Sequence, residues 1–299
     1  MTRFRLDTAA VLICCVLSSV FPASVNGTEN PIVHKDIEYA VVDGHSLRLD
    51  LYLSKAKDAP LVIWIHGGGW KAGSKDRCFV SWLTDHGYSV ASISYRLTDK
   101  AIFPAQIHDC KGAIRWLRAH ANEYGYSTEK IAVAGSSAGG HLAALVGTSA
   151  NVETLEGTVG GHLDQSSHVD AVVDFYGPTD FVLRGKSHPA RANAKDSGTY
   201  GLLGGPTNEK TEMAKFASPT TYVSSDDPPV LAIHGDNDKK VYLEQSHRLQ
   251  AEYQKVNRTF ILHVVEGGGH GGKIYFQGKP KTALIEFLNN QLKPSSESP

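Results

Sequence analysis

The feature that most constrains this chain is Gly135-Ser136-Ser137-Ala138-Gly139, set between an apolar run and a helix-forming run. Ile131-Ala132-Val133-Ala134 before it is short, apolar and β-compatible. Gly140 to Ala150 after it, carrying His141, Leu142, Ala143, Ala144 and Leu145, favours helix. A strand that enters a helix through Gly-x-Ser-x-Gly forms a nucleophile elbow, a tight turn that exposes the serine hydroxyl at its tip. A Cβ at either flanking glycine would clash with the neighbouring strand or helix. Five Gly- and Ser-rich residues also suit an ordinary turn, and it is the strand before and the helix after that favour the elbow. With Ser137 as nucleophile, the rest of the chain must supply oxyanion donors, a histidine and a carboxylate.

The donors are expected upstream. Pro60-Leu61-Val62-Ile63-Trp64-Ile65 is continuously apolar, as in a strand buried on both faces, and runs into His66-Gly67-Gly68-Gly69-Trp70. A run of glycines lets successive backbone N–H groups turn toward one point. Gly68 and Gly69 are therefore expected to act with the Ala138 N–H, with the Trp70 N–H as a substitute for one of them. Removing one such donor raises a barrier by about 3–4 kcal/mol. The Trp70 side chain is expected to contact the substrate, and His66 to brace the loop.

Fourteen histidines compete for the base. Glu266-Gly267-Gly268-Gly269-His270-Gly271-Gly272 follows the last apolar strand, Thr259 to Val265, and glycines on both sides let His270 reach back to the serine. His141, on the elbow helix, and His263, within a strand, read as structural. His162 and His168 with Asp170 lack a compact ligand spacing, so no metal is expected. For the carboxylate, Asp236 and Asp238 follow the preceding strand in His234-Gly235-Asp236-Asn237-Asp238-Lys239-Lys240-Val241 and compete. Asp174 and Asp180, around the end of an earlier strand, are weaker alternatives.

Along the chain, Ile32 to Leu53 alternates about an Asp43-Gly44 turn, an antiparallel hairpin with Leu47, Leu49, Leu51 and Leu53 on one face. Ser74 is expected to cap a helix ending at Gly87. A strand is expected over Tyr88 to Tyr95, then a helix with Ile107, Cys110, Ile114, Leu117 and Ala121 on one face. Further strands fall at Asp170 to Tyr176 and Val230 to His234, and helices around Tyr242 to Tyr253 and Leu284 to Leu292. Such alternation predicts an α/β fold, a mostly parallel sheet with an antiparallel N-terminal edge and helices on both faces. Gly177 to Ser224 breaks the rhythm and is expected to form a lid or substrate loop over the site.

Residues 1–27 read as a secretory signal peptide, with Arg3 and Arg5 ahead of an apolar stretch and small residues before Gly27. Residues 28–299 then form one domain, secreted or periplasmic, with a flexible tail at 293–299. The apolar stretch is short for a bilayer span, and bulky Ile13 argues against a lipid anchor on Cys14, so no membrane anchor is expected in the mature chain. Lys plus Arg (30) nearly balance Asp plus Glu (31), which gives no basic excess for nucleic acid. Cys78 and Cys110 remain after cleavage, both on expected helices, as a possible disulfide or as two buried thiols.

Taken together, these motifs resemble the α/β-hydrolase superfamily over nearly the whole mature chain. More narrowly they resemble the bifunctional feruloyl/acetyl-xylan esterase-like group and the hormone-sensitive-lipase-like carboxylesterases. The resemblance rests on His66–Trp70, Ser94-Tyr95-Arg96-Leu97, Phe103-Pro104-Ala105-Gln106 with Asp109, Gly135–Leu142, Tyr176-Gly177-Pro178-Thr179-Asp180, His234–Val241 and Gly269-His270-Gly271. It selects Asp238 through the pattern His-Gly-x-x-Asp-x-x-Val, and gives the order Ser137, Asp238, His270. It implies hydrolysis of a carboxylic ester, on a small molecule or linked to polysaccharide, through an acyl-enzyme and without a cofactor. Arg96 and Asp109 would brace loops. A serine peptidase and a non-catalytic binding protein on the same fold are the other classes, and the intact Ser137, Asp238 and His270 disfavour the latter.

Overall fold

Continuous apolar runs such as Pro60 to Ile65 send alternate side chains to opposite faces, so a sheet made of them must be covered on both sides. The computed structural model describes Met1 and residues 32–293. The remainder of the expected leader (1–27) and tail (293–299) lies outside the described residues. Eight strands among them form one sheet: β1 (Ile32–Val42), β2 (His45–Leu53), β3 (Ala59–Ile65), β4 (Ser89–Ile93), β5 (Tyr126–Ser136), β6 (Ala171–Phe175), β7 (Val230–Gly235) and β8 (Phe260–Val265). Their spatial order is β1-β2-β4-β3-β5-β6-β7-β8. The β1–β2 and β2–β4 pairings are antiparallel and every later pairing is parallel.

The two faces carry separate cores. On one, Leu61, Ile63 and Ile65 of β3 pack with Ile107, Cys110 and Ile114 of the helix Ala105–Ala119 and Leu142 to Val146 of the helix Ala138–Thr148. On the other, Val62 and Trp64 pack with Leu284, Phe287 and Leu288 of the helix Gly278–Leu292. Burying one such side chain contributes about 1.5–3 kcal/mol.

Two local expectations change. Ser74 does not start a helix: only Ser81–His86 winds, as a 3₁₀ turn closed by Gly87. The intervening backbone is held by side chains from the sheet instead. Trp64 Nε1 donates to Arg77 O at 2.8 Å, Ser92 Oγ donates to Lys75 O at 2.6 Å, and Lys75 is drawn in to buried Asp50 at 2.7 Å. Cys78 therefore lies on a loop and Cys110 on a helix, in contact with opposite faces of the sheet, and both are unpaired thiols.

Candidate active site

In an open parallel sheet the carboxyl ends of the strands share one edge, where loops converge. The residues singled out from sequence lie at that edge: the glycine loop after β3, Ser137 after β5, Asp238 after β7 and His270 after β8. Ser137 sits at φ +55°, ψ −115°, a strained conformation for a residue with a Cβ. It is held there by its N–H on Phe175 O at 2.8 Å and by His141 N–H on its own carbonyl at 3.0 Å. Both flanking glycines are required by close approach. A Cβ on Gly135 would come within 2.2 Å of Gly139 O, and one on Gly139 within 2.0 Å of Ile65 O.

The elbow, the acid loop and the histidine loop bring three side chains into line. His270 Nε2 lies 2.8 Å from Ser137 Oγ, and His270 Nδ1 lies 2.6 Å from Asp238 Oδ2. With Nδ1–H donating to the carboxylate, Nε2 is left as acceptor for the serine proton. The other Asp238 oxygen accepts the N–H groups of Lys240 (2.8 Å) and Val241 (3.0 Å). Burial alone would raise this carboxyl, but His234, His270 and the Val241 N–H hold it well below the usual range. Asp236, the rival, is exposed and accepts from Gly267 N at 2.8 Å, tying the acid loop to the histidine loop. Asp174 is buried, accepts from Gly177 N at 2.7 Å, and is pushed up to about 6 by burial. Asp180 caps the helix Phe181–Ser187 and pairs with Arg248 at 3.0 Å.

The carbonyls of the glycine loop are held by hydrogen bonds. His66 Nδ1 donates to Gly67 O at 2.8 Å, and Gly68 O accepts from Lys71 N and Ala72 N at 3.3 and 3.1 Å. Since a trans peptide sets N–H opposite C=O, the Gly68 and Gly69 N–H groups point away from those bonds. Both glycines line the cavity. Ala138 opens its helix, so its N–H has no intrahelical acceptor.

Trp70 is at once a cavity residue and a packing residue. It borders the cavity but is only 4% exposed, its Nε1 donates to His141 Nδ1 at 3.2 Å, and its ring packs on Phe181. Its bulk packs between His141 and Phe181. His141 completes this post by donating from Nε2 to Ala217 O at 2.7 Å. Arg96 is bound to Asp109 through two nitrogens, at 2.7 and 2.9 Å, as a loop brace.

His66 and His141 are each held down to about 4, by burial first, against the raising effect of the carbonyls of Gly67 and Ala217. Both are neutral in the folded chain, and the unfolded chain binds their protons below about pH 6.5. Stability is thus present above that pH and lost as pH falls from 6.5 toward 4, by up to about 1.4 kcal/mol per unit per histidine. The urea midpoint is expected to fall between pH 7 and pH 5. A constant midpoint would contradict this reading.

The cavity at this edge has a volume of about 890 Å³. Residues of the 177–224 segment, among them Arg184, Arg191 and Thr199, form part of its wall, through short helices such as Phe181–Ser187 and Gly198–Leu203. Three contributors receive no role from sequence. Tyr176 packs edge-on against the His270 ring at 5.0 Å, and Tyr275 donates its hydroxyl to Gly269 O. Tyr176 lies inside a quoted motif, whereas Tyr275 carries no local signal. Arg184 likewise has none.

A family model described as BD-FAE matches residues 49–253. Esterase LipC of Mycobacterium tuberculosis is 35% identical over 81% of this chain, and the chain spans 61% of that protein. Among solved structures, a truncated carbohydrate esterase from gut microbiota superposes with a TM-score of 0.79 at 31% identity, over 88% of this chain and 96% of that one. An acetyl ester-xyloside bifunctional hydrolase from Caldicellulosiruptor lactoaceticus does so at 0.68 and 26%, over 83% and 89%.

Proposed function

Because the chain belongs to the BD-FAE family and has the α/β-hydrolase fold, we propose that it hydrolyses carboxylic esters, with acetyl or feruloyl groups on polysaccharide as the substrate class. The observation that carries the reading is the aligned run Ser137 Oγ, His270, Asp238, with contacts of 2.8 and 2.6 Å. Ser137 Oγ attacks the ester carbonyl while His270 Nε2 takes its proton. The oxyanion accepts hydrogen bonds from the N–H groups of Gly68, Gly69 and Ala138. His270 then protonates the departing alcohol, leaving an acyl-Ser137. Water, deprotonated by the same nitrogen, releases the acid. Asp238 holds the ring and offsets its charge whenever the imidazolium forms. No step calls on a cofactor.

The carbohydrate assignment draws on the likeness to the carbohydrate esterase and the xyloside hydrolase. A general short-chain carboxylesterase is the second reading, favoured by the likeness to LipC. On the sequence of residues 1–27, we place the enzyme outside the cytoplasm. A panel of acetylated xylan, methyl ferulate, short and long p-nitrophenyl esters and a peptide p-nitroanilide tests the proposal. We expect release of acetate from xylan alongside p-nitrophenyl acetate turnover. Turnover of p-nitrophenyl esters without either plant ester would favour the second reading, and cleavage of the anilide alone would overturn both.

A further inference from the structure

The fold matches its other buried Lys and Arg side chains to carboxylates: Lys75 to Asp50 at 2.7 Å, Lys111 to Glu156 at 3.0 Å, and Arg115 to Glu156. Arg184 breaks the pattern. It is 7% exposed, its side chain makes one hydrogen bond, Nε to Thr199 Oγ1 at 3.3 Å, and its Nη1 is buried without a partner. Among the described residues no carboxylate comes within ion-pair distance of it. Arg184 lines the same cavity as Ser137 and His270.

A buried charge without a counter-charge is costly, and a guanidinium does not escape the cost by losing its proton. Burial first and then Arg191 bring Arg184 down to about 10, against the more distant charges of Asp238 and Glu244, so it stays cationic at neutral pH. The surrounding wall adds charge of the same sign. Lys71, Arg77, Arg191 and Lys240 line the cavity against one acidic side chain, Asp196, and none of the four forms an ion pair among the described residues. A low-dielectric cleft lined by one sign of charge concentrates ligands of the other. The planar fork of an arginine, with an unused Nη1–H, suits a carboxylate.

We propose that Arg184, backed by Arg191, is a carboxylate-recognition subsite, and that the preferred ester carries a carboxylate near the reacting carbonyl. This rests on the esterase reading above. The carboxylate can belong to the alcohol part, as in an acetylated uronic acid residue, or to the acyl part, as in a hemiester of a dicarboxylic acid. Two matched pairs separate these sources: acetylated methyl glucuronoside against acetylated methyl glucoside, and monoethyl succinate against ethyl succinamate.

With the full chain, kcat/KM is expected to favour the anionic member of one pair by about 10-fold or more, the scale of one charge-assisted contact. Arg184→Met should bring that ratio to about one, and Arg184→Lys should keep part of it. If Arg184→Met does not fold, competition in the wild-type enzyme decides: glucuronate or succinate should inhibit p-nitrophenyl acetate hydrolysis at lower concentration than glucose or succinamide. Turnover of the neutral esters with ratios near one in both pairs overturns the subsite and leaves the esterase standing. A ratio unchanged in folded Arg184→Met overturns the assignment to Arg184. Absence of turnover on every ester, p-nitrophenyl acetate included, overturns both.

Discussion

Ser137→Ala is expected to lower kcat/KM for p-nitrophenyl acetate by at least about 10⁴-fold while the protein stays folded. Removing Oγ leaves only the backbone donors and the cavity to assist attack by water. The fold should tolerate the change. Alanine meets the same positive φ as serine, and the elbow is held by the Ser137 N–H and carbonyl, which the substitution keeps. Initial rates check the first half, and an unfolding free energy from urea titration within about 1 kcal/mol of wild type checks the second. Wild-type turnover in the folded variant would remove the serine mechanism.

The second large effect separates the two aspartates. Asp238→Asn is expected to cost about 10³–10⁴-fold in kcat. It replaces an acceptor of the His270 Nδ1 proton with an amide that can present a donor there, which favours the wrong tautomer. Asp236→Asn should cost no more than a few-fold, because an amide oxygen can still accept from Gly267 N. The acid limb of stability should differ as well. Because the folded state holds Asp238 below its ordinary value, its contribution is present above about pH 4 and lost as pH falls further. Loss of activity in Asp236→Asn with Asp238→Asn intact would reverse the assignment.

What was legible in the chain follows from how local the physical cause is. The elbow could be read because its pattern is contiguous, with a strand before it and a helix after it, although only the clash at Gly135 is local and that at Gly139 is with Ile65 of the neighbouring strand. The glycine loop and the His270 loop could be read because each directly follows a largely apolar strand, and strand direction carries them to the same edge. The choice between Asp236 and Asp238 was not local, and a motif resemblance made it. Ser74 to Val80 has a helix-like start but does not wind, because the carbonyls of Lys75 and Arg77 are taken by Ser92 and Trp64, side chains from distant strands. The contacts of the Trp70 indole with His141 and Phe181 are likewise hidden by sequence distance. Arg184 sits in a weakly periodic segment, and its lack of a carboxylate is visible only once every neighbour is placed.

The central claim is that Ser137 alone takes up the acyl group. Treating the enzyme with a fluorophosphonate that mimics the tetrahedral intermediate, followed by peptide mass mapping, tests it most directly. One adduct per chain is predicted, on the peptide containing Ser137, formed in parallel with loss of activity and absent from Ser137→Ala. Inactivation with the adduct on any other residue, or an unlabelled Ser137 in a fully active enzyme exposed to excess reagent, would contradict the account.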